Sequence, residues 1–181
     1  MAFINPGGTG VIAFAEYQDV KNRDQRLFEA NEFTVPAEFT DLADMVESYT
    51  ERATTKIRYL IKDTDWWMSF YINQSGSSTV YSTSNGRVDV PPPEANKFLL
   101  RQQDWTDLCV YYTLYEYVLP LIADFSNEDN AEYRKIGFYR EKFDKLFSQL
   151  IAAGDWYDFN GTGTITTSEK APTAVNLVRM R

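Results

Sequence analysis

Apolar positions recur along this chain at helical spacing in three separate stretches. Phe39, Leu42, Val46, Tyr49, Ala53, Ile57 and Leu60 follow one another at intervals of three and four, which gathers them on one face of a helix about six turns long. Pro36 at the expected first helical position, with Glu38 just behind it, predicts where that helix begins. A second stripe runs through Phe98, Gln102, Trp105, Leu108, Tyr112, Tyr115, Leu119 and Ile122 and predicts a helical stretch over 94–125, with a restart at Asp104 and Asp107 and a kink at Pro120. The third, Tyr133, Ile136, Phe143, Leu146, Phe147 and Leu150, predicts a helix over 128–153, capped by Ser126 or Asn127 and stopped by Gly154.

Between the first two stretches the pattern changes. Trp67 to Ile72 is aromatic and β-favouring, and Asn85-Gly86 lies between Thr79–Thr83 and Arg87–Val90 as the turn of a tight hairpin. Pro91-Pro92-Pro93 is a stiff spacer without amide donors. Near the start, Val11 to Ala15 reads as a short strand after ten residues whose glycines and proline favour an arm. The expected fold is mainly α: a three- to four-helix bundle with a β-hairpin excursion and extended terminal arms. Its divisions are an N-terminal arm at 1–35, the bundle at 36–155 with the excursion at about 66–93, and a loop with a C-terminal tail at 156–181.

Composition narrows the chemistry. There is no histidine and one cysteine, Cys109, in the apolar setting Leu108-Cys109-Val110. That excludes disulfides within the chain, cysteine zinc sites and any mechanism needing imidazole, and it reads Cys109 as a buried, inert thiol. The net charge of -8 leaves no local basic cluster for phosphate. No run approaches the roughly 18 apolar residues of a membrane span, and the first residues lack the pattern of a secretory leader, so the chain is expected to stay where it is made, without a membrane partner. The carboxylate pairs Asp41/Asp44 and Asp63/Asp65 read as helix caps or solvated faces, and no motif argues for an enzyme.

One motif could hold a cofactor. Asp158-Phe159-Asn160-Gly161-Thr162-Gly163-Thr164-Ile165-Thr166-Thr167-Ser168-Glu169 has the spacing of an EF-hand calcium loop. Asp158, Asn160, Thr162, the Thr164 carbonyl, Thr166 and Glu169 would be the ligands, and Gly163 the sharp turn. Only Asp158 and Glu169 are carboxylates, so calcium binding is expected to be weak, and no other cofactor is expected. The other reading is a glycine-containing turn between short strands at 156–159 and 164–167.

Two segments are candidates for contacts with other chains. Tyr111 to Tyr117 is apolar or aromatic around most of a helix, with Tyr112 and Tyr115 buried either in the chain's own core or at a subunit interface. The tail after Pro172 joins strand-forming Val175, Leu177 and Val178 to Arg179 and Arg181, as a docking arm that adds itself to a partner would; a frayed terminus is the alternative.

Taken in order, these elements resemble the head-tail connector (adaptor) family of tailed bacteriophages. The resemblance rests on Pro-Ala-Glu-Phe-Thr-Asp-Leu at 36–42 with the helix after it, Leu-Cys-Val-Tyr-Tyr-Thr-Leu-Tyr at 108–115, Tyr-Arg-Glu-Lys-Phe-Asp-Lys-Leu-Phe at 139–147, and the Asp-x-Asn-x-x-Gly turn from Asp158. It covers 36–181, and the long excursion at 66–93 and the N-terminal 35 residues depart from it. It implies a structural virion protein at the head-tail neck, assembled in the host cytoplasm. Such a protein forms a homo-oligomeric ring of about twelve subunits that contacts the portal and a neck or tail protein and passes double-stranded DNA non-specifically. The reading from another class is a calcium-stabilised helical protein-binding module.

Overall fold

The computed structural model describes residues 12–30, 33–75, 81–82, 88–126 and 130–170. Among them the chain is mainly helical: α1 (Tyr17–Arg23), α2 (Gln25–Ala30), α3 (Leu42–Lys62), α4 (Asp65–Ser75), α5 (Gln102–Thr113), α6 (Ala131–Ala153) and α7 (Thr167–Lys170). The two-residue strands β1 (Tyr81–Ser82) and β2 (Val88–Asp89) pair antiparallel. The proposed turn at Asn85-Gly86 lies outside the described residues, as does the tail with Val175, Leu177, Val178, Arg179 and Arg181.

α5 is the centre of the helical packing. It lies against α3 on one flank and α6 on another, with α1 filling the corner between α3 and α5. Its core side chains Trp105 and Leu108, with Leu114 just beyond its end, join Val46, Ala53 and Ile57 of α3 and Phe143 and Leu150 of α6 in one cluster of buried residues. α5 continues without a break through a π-helical segment, Leu114–Val118, into a 3₁₀ turn at Leu119–Leu121. The wider and then tighter turns carry Pro120, which can donate no amide, without ending the rod.

The helix ends are set by side chains, and this moves several boundaries from their expected places. α3 begins at Leu42 rather than at Pro36. Asp41 caps it by accepting the Asp44 amide at 2.9 Å, while Asp44 accepts the Thr40 amide at 2.9 Å; Pro36 opens only a turn closed by the Phe39 amide. α6 starts at Ala131 because Asn130, rather than Ser126, accepts the amide of Tyr133; Asn127 lies outside the described residues. α5 starts only at Gln102, after a 3₁₀ turn (Ala95–Lys97) and a left-handed Arg101 with φ 56°. Arg101 is held there by a paired hydrogen bond to Asp155, at 2.6 and 2.9 Å. Gly154 stops α6 in the left-handed region as expected, at φ 59°.

Three expectations fail in an informative way. Trp67 to Ile72 is helical, in α4, because the helix delivers Trp67 and Phe70 to the core, and that burial outweighs β-propensity. Ile12 to Ala15 forms no strand; the Phe14 amide donates to the Thr54 hydroxyl and its carbonyl accepts from Thr106, so side chains of α3 and α5 satisfy the backbone. The segment 1–35, expected as an arm, carries α1 and α2, whose Val20 and Leu27 are buried in the core.

Candidate functional site

The end of the molecule that carries the 158–169 loop is an aromatic cluster. Trp66, Trp67 and Phe70 of α4 meet Phe98, Trp105, Trp156 and Tyr157, with Phe98 stacked on Trp156 at 4.8 Å and Trp67 edge-on to Tyr157 at 4.9 Å. The loop enters it through an antiparallel bridge of Tyr157 to Phe98 and an Asp158 amide donated to the Lys97 carbonyl at 2.9 Å. This single bridge takes the place of the expected strands at 156–159 and 164–167; Thr167 already belongs to α7. Gln74 of α4 closes the far side by donating to the Ser168 carbonyl.

Two buried carboxylates organise the loop. Asp158 accepts the amides of Gly161 and Thr162 on Oδ1 (2.9 and 3.2 Å) and of Gly163 on Oδ2 (2.7 Å). Three amides converge because Gly161 and Gly163 adopt φ of 69° and 79°, where other residues are strained. Glu169 accepts the Asn160 amide at 3.1 Å, and the Thr166 amide and hydroxyl at 2.7 and 2.6 Å. Thr166 directly precedes α7 and Glu169 is the third residue of that helix, so the pair forms a capping arrangement. Burial pushes the Glu169 carboxyl up, but donation from the Thr166 hydroxyl and from the amides of Thr166, Asn160 and Phe159 outweighs it and holds the group below its ordinary range.

The six candidate calcium ligands are therefore drawn into one loop whose carboxylates already have donors. Asn160, Thr162 and Thr164 are exposed, and the Thr162 hydroxyl donates to the Thr164 carbonyl at 3.0 Å. Among the described residues no group of three or more Asp, Glu, His or Cys side chains is gathered to hold a metal. These hydrogen bonds draw the loop closed on its two carboxylates.

Tyr112 and Tyr115 pack within the chain. Both meet Phe143 of α6, at 5.3 and 5.7 Å between rings, and Tyr112 is 5 % exposed. Burial pushes the Tyr112 hydroxyl up to about 12. Cys109 is buried, its sulfur 3.6 Å from both the Thr54 hydroxyl and the Thr50 carbonyl, and burial pushes its thiol up to about 12, which keeps it un-ionised and unreactive.

The outward face of α6 was not singled out from the sequence. Arg134, Phe138, Lys142, Lys145 and Gln149 succeed one another at intervals of four and three, all exposed and turned away from Tyr139, Phe143 and Leu150. The Lys142 ammonium lies 5.3 Å from the centre of the half-exposed Phe138 ring. Its spacing is legible in the sequence, but as a polar stripe rather than an apolar one. No helix among the described residues is long and apolar enough to cross a membrane. No protein-family model, curated protein or solved structure matches the chain.

Proposed function

We propose that the chain is a structural subunit of a phage head-tail connector: a non-enzymatic protein that forms a ring of about twelve copies between portal and tail, through which double-stranded DNA passes. What supports this reading is the order of elements. The segments that carry the resemblance, 36–61, 108–115, 139–147 and the turn from Asp158, fall on α3, α5, α6 and the closed loop in that order, with α3 and α6 packed on α5. In this reading the helices form a bundle that makes the ring wall, the hairpin at 79–90 projects from it, and the tail from Ala171 to Arg181 docks on the portal or a neighbouring neck protein.

The charge suits a conduit. About twelve copies at -8 each place on the order of a hundred negative charges around the channel, which repels phosphate and lets DNA slide. The test is electron microscopy of the purified full chain over a range of concentrations. Closed rings with an open centre are expected; a chain that stays monomeric, or particles without a channel, would overturn the reading.

A further inference from the structure

α3 and α6 lie on different flanks of α5, and their outer surfaces carry charge of opposite sign. Around the start of α3, Asp41, Asp44 and Glu47 are joined by Glu16 from the residue before α1 and by Glu51 one turn on. Among the described residues no cation reaches ion-pairing distance of Glu16, Asp41, Asp44 or Glu47. Arg52, the nearest cation along the helix, lies over the Tyr49 ring. The Glu47 carboxyl is held above its ordinary range by burial and by the neighbouring Glu16, Asp44, Asp41 and Glu51.

The outward stripe of α6 is the converse. Lys142 and Lys145 have no carboxylate within ion-pairing distance among the described residues; Glu141, one turn before Lys145, borders the stripe, and Asp144 lies further round the helix. Phe138 adds an exposed aromatic anchor of the kind enriched at interface centres, and the lysines beside it supply charge of the kind that steers a partner from the rim. Two different patches of one chain with complementary charge give a heterologous contact, the type that closes rings when repeated.

We infer that the Phe138-Lys142-Lys145 stripe of α6 docks on the acidic start of α3, around Glu47, of a second copy of this chain. The inference rests on the proposed ring and names the faces that meet in it. Each contact leaves one free acidic face and one free basic face at its ends, so assembly propagates until the ring closes.

The experiment is analytical ultracentrifugation of the full chain and of three variants: Lys142→Glu with Lys145→Glu, Glu47→Lys, and all three changes together. Circular dichroism checks that each is folded. Either reversal alone should weaken self-association at least roughly tenfold, since like charges then face each other. Mixing the two reversed proteins should restore assembly in alternation, since each then meets the other through both faces, and the triple variant should assemble again. Assembly of the wild type that neither reversal disturbs overturns the inference and leaves the ring intact. Reversals that alter retention of duplex DNA but not the mass overturn it in favour of a nucleic-acid face. Loss and rescue of an assembly that is not a ring supports the contact while refuting the connector, and a wild type that never associates refutes both.

Discussion

Asp158 and Glu169 at one end of the molecule, and Glu16, Asp41, Asp44 and Glu47 around the start of α3, are all carboxylates without a cation in ion-pairing distance among the described residues, yet their situations are opposite. The loop acids are buried and surrounded by backbone donors that converge on them. Those at the start of α3 face one another and solvent, and only Asp41, Asp44 and Glu16 are occupied with capping. An acid ringed by amides is a structural part whose chemistry is complete within its own chain. Acids that repel one another are incomplete in isolation and are relieved by opposite charge from outside.

The largest consequence is for the loop. Asp158→Ala leaves three amides without their acceptor, and we expect a loss of about 3 kcal/mol, or a melting temperature lower by roughly 8 °C, read by circular dichroism. Asp158→Asn, which keeps an acceptor oxygen, should cost about half as much. An Asp158→Ala protein as stable as the wild type would show the loop acids to be as dispensable as those outside, and the contrast would collapse.

Asp155 sharpens the comparison as an acid that does have a cation. Its hydrogen bond with Arg101 holds its carboxyl below the ordinary 3.8, so its contribution is present above that value and is lost as pH falls through the lower folded-state value. Because the pair is partly exposed, Asp155→Asn should cost only about 1 kcal/mol at neutral pH in urea titrations.

Glu47 has the reverse sign. Its folded-state value lies above 4.5, so its most favourable contribution comes below 4.5, when it is protonated, and is lost as pH rises through the folded-state value. Glu47→Gln should therefore stabilise the dissociated chain at pH 7 by about 0.5 kcal/mol, a gap that closes as pH falls below the ordinary carboxylate range. Destabilisation at pH 7 would mean that Glu47 has a favourable partner within its own subunit.

Much of this could be read from the chain, but only where the cause is local. The i, i+3, i+4 stripes announced α3 and α6, and Gly154 announced the end of α6, where an added Cβ would also sit 2.9 Å from the Trp66 indole nitrogen. The Asp158-to-Glu169 spacing marked a loop that turns back on itself, and its two carboxylates accept backbone amides. α4 was hidden because Trp66, Trp67, Phe70 and Tyr71 favour strands until a core of Phe98, Trp156 and Tyr157 is there to receive them. The meeting of Glu16 with Glu47 was hidden because it exists only once α1 packs on α3.

The smallest expected effect is that of calcium. With the loop already closed by its own amides and only two carboxylates on offer, about 1 mM calcium should raise the melting temperature by less than about 1 °C. A rise of many degrees would mean that the loop opens to take the ion in preference to its amides.

The most direct test of the central claim, that the acids at the start of α3 are completed by α6 of another copy, is sedimentation of the wild-type chain as salt is raised. At low ionic strength a closed assembly of about twelve copies is expected, dissociating as salt approaches roughly 0.5 M because exposed charges are screened. An assembly whose mass is indifferent to salt, or a monomer at every ionic strength, would contradict it.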